Sequence, residues 1–490
     1  MTKICDTPQA ALDELERLYT ISVEAQRTAL RAFIQRREPP QPTDRALFRY
    51  PMLRLTYAPD GPPPRSDRAF GKFNAPGIYT TTITHPDHFR RHLLEQLAPL
   101  AEHYQPVIEV GLSDQEMPYA FVLEGADDLA AGDVPPEELA RWFPTPLLTA
   151  VGDEIVDGEW ETDAAGNRPL SLYDGLRMDY SLKRLLHYTG TDWRAFQPWV
   201  LFTNYARYVD EFVRWAVAQI AEGASGNSPY VRLVASGGVV IEAGEARDRG
   251  AAVQRVLDAP WRKFQMPAYH LETADGDGIS LINIGVGPSN AKNMTDHLAV
   301  LRPHCWLMAG HCGGLRQSQK IGDYVLAHAY LRKDEVLDRI LPAEVPLPAI
   351  AEVQIALQTV AAEVTGESPE ALKSRLRTGT VVSFSDRNWE LYWSRERRLI
   401  NVSRAIGVDM ESCMIAAQGF RHRVPYGTFL CISDKPLHGE IKLPGSANVF
   451  YERAIGEHLK ICLATLEHLR QQGSAIHSRK LRSFDEPPFR

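Results

Sequence analysis

The sequence predicts an α/β protein with two domains, an N-terminal α+β domain over residues 1–195 and a C-terminal domain over residues 196–490. Its 490 residues are too many for a single hydrophobic core. From about Trp199 onward, short apolar strands alternate with helical patterns, which is typical of a central, mostly parallel sheet flanked by helices. Before that point helices and strands mix without a repeat, and the change in texture places the boundary near residues 190–197.

The N-terminal region begins with a clear helix signal. Thr7 offers a capping hydroxyl, Pro8 suits the first helical position, and apolar residues follow at helical spacing until the prolines after Glu38. Residues 79–84 are rich in β-formers, residues 85–101 return to a helical pattern, and residues 124–138 are predicted as a loop.

The C-terminal region supplies the elements of the predicted sheet. The predicted strands are 199–202, 231–234, 279–284, 305–309, 324–327, 380–384 and 428–432. The predicted helices are 208–220, 291–301, 351–364, 410–420 and 450–469. The basic, proline-containing tail from Ser474 predicts either a frayed terminus or an arm docked on a neighbouring subunit.

Composition narrows the class of protein. The net charge of -8 gives no basic excess for nucleic acid. No apolar run approaches the roughly 20 residues of a membrane span, and the first residues lack a secretory signal. The six scattered cysteines predict free thiols in a reducing cytoplasm. Because Cys305, His311 and Cys312 lack a zinc-binding spacing, no structural metal is expected.

Two glycine-containing segments follow successive predicted strands. The first, GVGPSN (285–290), precedes a helix, so its glycines, including Gly287, allow a ligand to approach the backbone at a helix N-terminus. It is not a dinucleotide fingerprint, because Asn290 stands where the third glycine belongs. The second, GHCGGL, begins at Gly310, and His311 within it is either a ligand contact or a satisfied loop histidine. Open α/β sheets bind ligands at this edge.

Two acidic clusters carry the chemistry. Asp409-Met410-Glu411-Ser412 falls at the start of the predicted helix 410–420, and Ser433-Asp434-Lys435 follows the predicted strand 428–432. Either cluster alone is typical of a helix turn or cap. Together they provide two carboxyl groups at the carboxyl ends of neighbouring elements, which suits cleavage of a bond between a sugar and a purine. The base must be protonated, and the sugar must be held while positive charge develops on its ring.

Further polar and aromatic residues are predicted at the same edge. Asn204 and Arg207 follow the first strand of the C-terminal domain, where Arg207 suits either a phosphate or the surface of an amphipathic helix. Phe384 and Trp389 offer flat faces for a purine, and Arg387 lies between them. The alternative for Trp389 is that it begins a helix and packs into the core.

At this point the sequence resembles a known family. Residues from about 199 to 470 are similar to the purine nucleoside phosphorylase and uridine phosphorylase superfamily, and the whole chain resembles its bacterial AMP nucleosidases. The runs that carry this resemblance are NIGVGPSNAK (283–292), GHCGGLR (310–316), SDKPLHGEIKLPG (433–445), AFGKF (69–73) and YTTTIT (79–84). The resemblance implies a nucleoside-phosphorylase-like fold for the C-terminal domain.

The resemblance also implies roles for matching residues. Asp434 matches the general acid that protonates purine N7, Glu411 the carboxylate that binds the ribose hydroxyls, and Met410 the apolar floor under the sugar. Arg207 matches a phosphate-binding arginine of the phosphorylases. Glu411 is expected to stay ionised. An ordinary Asp has a pKa of about 3.9, so Asp434 needs a raised pKa or a shared proton.

One departure from the phosphorylases bears on the nucleophile. They carry an Arg on the strand before the second glycine segment and often a Ser within it, where this sequence has Met308 and His311. The loss of that Arg weakens a site for attacking phosphate and favours water. The resemblance then implies hydrolysis of AMP to adenine and ribose 5-phosphate, with control of the intracellular AMP level. No residue stands out as the base that activates water.

Several expectations stay open at this stage. The 5′-phosphate has four candidate cations: Arg207, Arg387, Lys435 and Lys442. The resemblance implies a homohexamer, a regulatory or oligomerisation role for the N-terminal domain, activation by ATP as its magnesium complex and inhibition by phosphate, with no cofactor in the chemistry. The alternatives are a purine nucleoside or nucleotide phosphorylase on the same fold, and a module that binds AMP without cleaving it.

Overall fold

The computed structural model describes residues 2–61, 64–123, 134–440, 446–473, 476 and 481–490. The chain forms two compact units. Unit 1 comprises Met1–Lys183 together with Arg482–Arg490, and unit 2 comprises Arg184–Leu481. The predicted α+β and α/β classes are confirmed by the elements of the two units. Among the helices of the described residues, none has both the length and the apolar character needed to cross a membrane.

Unit 1 is built on a five-stranded sheet with the strand order β1-β4-β2-β3-β5. Its strands are β1 (Lys3–Cys5), β2 (Arg49–Tyr57), β3 (Gly77–Thr82), β4 (Val107–Glu116) and β5 (Asn167–Pro169). Its helices are α1 (Pro8–Arg36), α2 (Pro42–Arg45), α3 (Arg90–Tyr104), α4 (Tyr119–Val122), α5 (Pro136–Trp142), α6 (Glu154–Asp157) and α7 (Gly175–Thr189), which continues across the division into unit 2.

The start of α1 agrees with its sequence signal. The Thr7 hydroxyl accepts a hydrogen bond from the Ala10 N–H, and Pro8 occupies the first turn. The buried side of α1 includes Leu30 and Phe33, which belong to a core that also contains Tyr50 of β2. The amphipathic pattern of the first helix therefore covers the sheet of unit 1. Most of the predicted loop at 124–138 lies outside the described residues.

Unit 2 contains a ten-stranded sheet with the order β14-β13-β12-β15-β11-β6-β10-β9-β7-β8. Its strands are β6 (Trp199–Thr203), β7 (Tyr230–Ala235), β8 (Val239–Glu242), β9 (Ala268–Thr273), β10 (Ile279–Asn283), β11 (Cys305–Gly314), β12 (Tyr324–Lys333), β13 (Leu376–Phe384), β14 (Gly407–Asp409) and β15 (Tyr426–Asp434). Its remaining helices are α8 (Ala206–Gly223), α9 (Arg249–Leu257), α10 (Pro288–Leu298), α11 (Ala351–Thr365), α12 (Pro369–Arg375), α13 (Trp393–Ser403), α14 (Ser412–His422) and α15 (Ser446–Gln472).

The sheet of unit 2 is mixed rather than mostly parallel. β10, β6, β11 and β15 form a parallel block in the middle, and β12, β13 and β14 are parallel to one another. β12 runs antiparallel to β15, and β7, β8 and β9 add antiparallel pairs at the far side. The middle strands are buried along nearly their whole length, as expected for strands covered on both faces.

The end of the chain differs from the predicted frayed terminus. Residues 482–490 belong to unit 1 of the same chain. The N–H of Phe489 donates to the Leu170 carbonyl at 2.9 Å, and the N–H of Gly71 donates to the Pro488 carbonyl at 2.8 Å. The Phe489 side chain is only 1% exposed. Apolar burial and backbone hydrogen bonds stabilise residues 482–490 in this position.

Candidate functional site

Unit 2 contains a cavity of about 330 Å³. Its lining residues share one position in the fold, at or just beyond the carboxyl ends of β6, β10, β11, β13, β14 and β15. They are Asn204, Tyr205, Val286, His311, Cys312, Gly313, Arg387, Trp389, Glu390, Val408, Asp409, Met410, Glu411, Asp434 and Pro436. The carboxyl edge of an open α/β sheet is where such folds bind ligands.

Glu411 lies at the N-cap position of α14 and is almost completely buried. Its Oε1 accepts a hydrogen bond from the Gly287 N–H at 2.6 Å, and its Oε2 accepts one from Asn204 Nδ2 at 2.9 Å. Gly287 caps α10 with a φ of 114°, a conformation that favours glycine. At this helix start, where the sequence predicted that a ligand approaches the backbone, the Gly287 N–H binds the protein's own Glu411 carboxylate.

Asp409, at the end of β14, lies beside Glu411 and also lines the cavity. It accepts hydrogen bonds from the Ser412 N–H at 2.9 Å and from the hydroxyls of Ser412 and Ser383. Burial raises the pKa of Glu411, and the Asp409 carboxylate raises it further, to about 8. Burial also raises the pKa of Asp409.

The raised pKa of Glu411 runs against the expectation that this carboxyl group stays ionised. Two carboxyl groups in one buried place resist carrying two charges, so the Asp409–Glu411 pair holds a proton at neutral pH. Sequence reasoning did not select Asp409 as a site residue. The sequence does place a second carboxyl group, that of Asp409, two residues before Glu411. Whether the two groups affect each other's pKa depends on how deeply both are buried, which the sequence does not reveal.

Asp434 ends β15 and faces the same cavity as Glu411. Its side chain is half-buried, and the Ser433 hydroxyl donates to its Oδ1 at 2.6 Å. Met410 is half-buried and contributes apolar surface to the lining of the same cavity. The structure thus brings the two predicted acidic clusters together around one space large enough for a small ligand.

The predicted aromatic pair divides into two positions. Phe384 and Trp389 stack on each other, with ring centroids 5.5 Å apart and an angle of 7° between their planes. Both are buried in a core cluster with Leu315 and Ile400. Trp389 is one of the described residues that line the cavity, and Phe384 is not. Phe384 is buried and stacked on Trp389, so it is not placed to stack on a ligand in the cavity. Trp389 also begins a 3₁₀ turn before α13, as the alternative interpretation expected.

The candidate cations are placed differently from one another. Arg387 is exposed and is the only Lys or Arg among the described residues that line the cavity. Arg207 is exposed in the first turn of α8, outside the lining. The Lys435 ammonium pairs with Glu440 at 2.6 Å and donates to the Gln317 carbonyl at 3.3 Å, so it is engaged outside the cavity. Lys442 lies outside the described residues.

The second glycine segment is a strand, and its prediction as a loop was wrong. β11 continues through Gly314, paired with β15 on one side and with β14 on the other. A Cβ on Gly313 would lie 3.0 Å from a Val408 methyl group, and one on Gly314 would lie 3.0 Å from an Ile432 methyl group. These glycines therefore permit close packing of neighbouring strands. Gly310 similarly leaves room for the Asn204 amide.

His311 is buried in β11 at the cavity wall. Its ring lies 4.5 Å from that of Tyr205, and its Nε2 is 3.2 Å from the Tyr208 hydroxyl. It is thus both a cavity residue and a hydrogen-bonded core residue, the two alternatives that the sequence left open. Tyr205, Val286, Cys312, Gly313, Glu390, Val408 and Pro436 were not predicted as site residues. Their places depend on tertiary packing rather than on a local motif.

Two family models match separate parts of this chain. Residues 10–167 match the family model described as bacterial AMP nucleoside phosphorylase N-terminus, and residues 237–467 match the one described as phosphorylase superfamily. The first match falls in unit 1 and the second in unit 2, which contains the cavity.

Individual relatives extend the match to the whole chain. The AMP nucleosidase of Escherichia coli strain K12 is 54% identical over 491 residues, which covers 99% of this chain and 98% of the relative. The AMP nucleosidase of Escherichia coli O157:H7 gives the same figures. Among solved structures, the crystal structure of AMP nucleosidase from Bacteroides thetaiotaomicron VPI-5482 is 26% identical and covers 60% of this chain and 98% of that chain, with a TM-score of 0.42.

Proposed function

Because this chain belongs to the AMP nucleosidase family, we propose that it hydrolyses the N-glycosidic bond of AMP to give adenine and ribose 5-phosphate. The single observation in this chain that supports the proposal best is the presence of Glu411 and Asp434 on one cavity wall. A site that only bound AMP would have no need of a proton donor facing the base.

Asp434 is proposed as the general acid. It would donate a proton to N7 of the purine, so that the base leaves as neutral adenine rather than as a poor anionic leaving group. The half-buried position of its carboxyl group and the hydrogen bond from Ser433 support this role, because they hold one oxygen and leave the carboxyl group at the cavity wall.

Glu411 is proposed to bind the ribose hydroxyls and to stabilise the cationic sugar ring in the transition state. Two donors, the Gly287 N–H and the Asn204 amide, hold its oxygens in place before substrate arrives. The proton held by the Asp409–Glu411 pair would pass to solvent on the way to the cationic transition state, since a nearby cation favours the ionised pair. These two roles are proposed to need neither a metal ion nor a cofactor.

The 5′-phosphate is proposed to bind near Arg387. Four carboxyl groups line the cavity. Asp409, Glu411 and Asp434 are buried or half-buried and make their surroundings unfavourable for a dianion, whereas Arg387 is exposed, as is Glu390. One arginine is a weak site for a phosphate dianion, which supports the proposal that a neighbouring subunit of a homohexamer supplies further cations.

Two further expectations stay proposals. Unit 1 is proposed as the regulatory or oligomerisation domain, with ATP as its magnesium complex activating and phosphate inhibiting. It matches a separate family model and lies outside the residues that line the cavity. The enzyme is proposed to act in the cytoplasm, which is supported by the six buried free thiols.

One incubation tests the reaction. The protein is incubated with AMP in phosphate-free buffer and, separately, with added phosphate, and the base and sugar products are identified. Hydrolysis predicts adenine and ribose 5-phosphate in both samples. A strict requirement for phosphate, with a sugar phosphorylated at C1, would instead identify a phosphorylase. Absence of free adenine in both samples would identify a binding module.

A further inference from the structure

The strand that carries the proposed proton donor has an extra residue just before it. β15 pairs regularly with β11 as far as Ile432, which lies opposite Cys312. The next residue of β11, Gly313, lies opposite Asp434, so Ser433 is an extra residue in β15. A bulge of this kind redirects nearby side chains, and bulges are frequent next to active sites. The direction of the Asp434 carboxyl group therefore depends on what holds the backbone beyond the bulge.

A closed turn follows Asp434 immediately. The Lys435 N–H donates to the Glu440 carbonyl at 2.7 Å, and the Glu440 N–H donates to the Lys435 carbonyl at 3.2 Å. Gly439 has a φ of 78°, in the left-handed region that glycine favours, which lets the chain reverse between these two residues. We refer to residues 435–440 as the acid-flanking turn. Because its first residue is joined to Asp434 by a peptide bond, movement of this turn also moves the end of β15.

The Lys435 side chain holds the acid-flanking turn together. Lys435 is only 5% exposed. Its Nζ lies 2.6 Å from Glu440 Oε1, and this contact closes the turn. The same ammonium donates to the Gln317 carbonyl at 3.3 Å, and this contact ties the turn to the segment that follows β11. A buried ammonium is costly to leave unpaired, so the two contacts hold the lysine in one position.

Two further contacts join the acid-flanking turn to β11 and to the segment after it. His438 Nε2 lies 3.3 Å from the Leu315 carbonyl oxygen. A Cβ on Gly313 would lie 3.3 Å from Pro436 Cδ, so this proline packs closely on β11. Pro436 also lines the cavity. The turn is therefore anchored at the cavity wall, directly beside Asp434.

We propose that Lys435 is a positioning residue for the hydrolysis of AMP, and that through the acid-flanking turn it holds the Asp434 carboxyl group in the orientation needed to protonate the purine. This inference rests on the proposed function, in which Asp434 is the acid. It differs from the expectation that Lys435 binds the 5′-phosphate, because the ammonium is engaged by Glu440 and Gln317. Lys435 is also not one of the described residues that line the cavity.

Lys435→Met tests this role, because it keeps most of the side-chain length and removes the charge. The turn then loses both contacts of the ammonium. We expect kcat for AMP to fall roughly tenfold, with KM and the inhibition constant of ribose 5-phosphate within about twofold of the wild-type values. Lys320→Met makes the same chemical change at an exposed lysine between β11 and β12, outside the cavity lining, and should keep wild-type kcat.

A lysine that bound the 5′-phosphate would give the opposite result. In that case Lys435→Met would raise both KM for AMP and the inhibition constant of ribose 5-phosphate and would leave kcat unchanged. Such a result would overturn the positioning role.

A double-mutant cycle shows whether Lys435 acts through Asp434. If it does, Lys435→Met should have little further effect on kcat in the Asp434→Asn background, where no acid is left to position. A lysine that only supports the structure would lower kcat by the same factor in both backgrounds, and this outcome would contradict the proposal.

Glu440→Ala breaks the same ion pair from its more exposed side, where the change is easier for the fold to accommodate. It should also lower kcat several-fold, with KM unchanged. Circular dichroism and thermal unfolding establish that each variant is folded. Wild-type kcat in a folded variant of either kind would remove Lys435 from the reaction. Wild-type protein that releases no adenine from AMP would overturn the hydrolytic function itself, which is a separate result.

Discussion

At the scale of single residues, the chemistry depends on where Asp434 can deliver a proton. Its carboxyl group lies at the end of β15, on the cavity wall, with one oxygen held by the Ser433 hydroxyl. Asp434→Asn keeps the shape and removes the acid. We expect kcat for AMP to fall roughly a hundredfold to ten-thousandfold, with a modest change in KM, measured by adenine release.

Asp258→Asn is a suitable control for that substitution. Asp258 is exposed beyond the end of α9 and accepts a hydrogen bond from the Gln254 side chain at 2.7 Å. The same chemical change there should leave kcat within twofold. Equal turnover by Asp434→Asn and the wild-type protein would remove Asp434 as the acid.

Glu411 offers a prediction about pH as well as about turnover. Its pKa of about 8 in the folded protein exceeds its ordinary value of 4.5, so the folded state binds more protons than the unfolded chain between these values. The contribution of Glu411 to the free energy of unfolding therefore decreases as the pH rises from about 4.5 to about 8. In Glu411→Gln this loss is absent, so we expect Tm to fall less between pH 5 and pH 8 than in the wild-type protein.

The same Glu411→Gln variant should lose turnover strongly, because a neutral amide cannot stabilise a cationic ring as a carboxylate does. Parallel Tm curves for variant and wild-type protein would contradict the raised pKa, whereas a change confined to KM would show that Glu411 serves binding alone. The two measurements thus separate the charge of Glu411 from its catalytic role.

At the scale of elements, the site depends on the connection that leads into α10. Gly287 combines a φ of 114° with an N–H that donates to Glu411 at 2.6 Å. An alanine there meets no neighbouring atom within 4 Å, so the cost comes from the backbone conformation. We expect Gly287→Ala to destabilise the protein by about 1–3 kcal/mol and to lower kcat, because relaxation of φ moves the donor.

Gly456→Ala is the matched control for that element. Gly456 lies exposed within α15 and has no atom within 4 Å of an added Cβ. In a helix interior, alanine is favoured over glycine by up to about 1 kcal/mol, so this variant should be as stable as the wild-type protein or more stable. Wild-type kcat and Tm in Gly287→Ala would show that this connection does not hold Glu411 in place.

Many elements of unit 2 were predictable because strong local patterns agree with the tertiary structure. The run of apolar residues before Asn204 is sufficient to predict β6, and the glycine at position 287 is sufficient to predict the start of a helix after it. β14 was missed because it has only three residues and is defined by its pairing with β13 and β11. His311 was ambiguous for the same reason, since its partner Tyr208 is on another element, more than a hundred residues away.

The pairing of Glu411 with Asp434 was inferred from the two acidic clusters taken together and from family resemblance, not from a local spacing. Asp434 ends β15, and Glu411 caps the helix that follows β14. Two strands, β13 and β12, lie between β14 and β15 in the order of the sheet, and no local pattern reports that order. The proton on the Asp409–Glu411 pair was not predictable, because the pKa of a carboxyl group depends on its burial and on the charge beside it.

At the scale of the whole molecule, the return of residues 482–490 to unit 1 is the feature that sequence patterns did not predict. Phe489 is buried, whereas Phe484 in the same segment is fully exposed. Phe489→Ala should therefore lower the free energy of unfolding of unit 1 by about 3 kcal/mol, and Phe484→Ala by less than about 0.5 kcal/mol. Chemical denaturation of the full chain measures both values, and equal effects of the two substitutions would contradict the observed packing.

This return also has a consequence for biosynthesis. Residues 1–183 leave the ribosome long before residue 482 is translated. While unit 2 is being translated, the Leu170 carbonyl and the Gly71 N–H therefore lack their hydrogen-bond partners, which are in residues 488 and 489. The last native contacts of unit 1 form only after nearly all of the polypeptide has left the exit tunnel. An isolated fragment that ends at residue 183 would be missing these contacts from the outset.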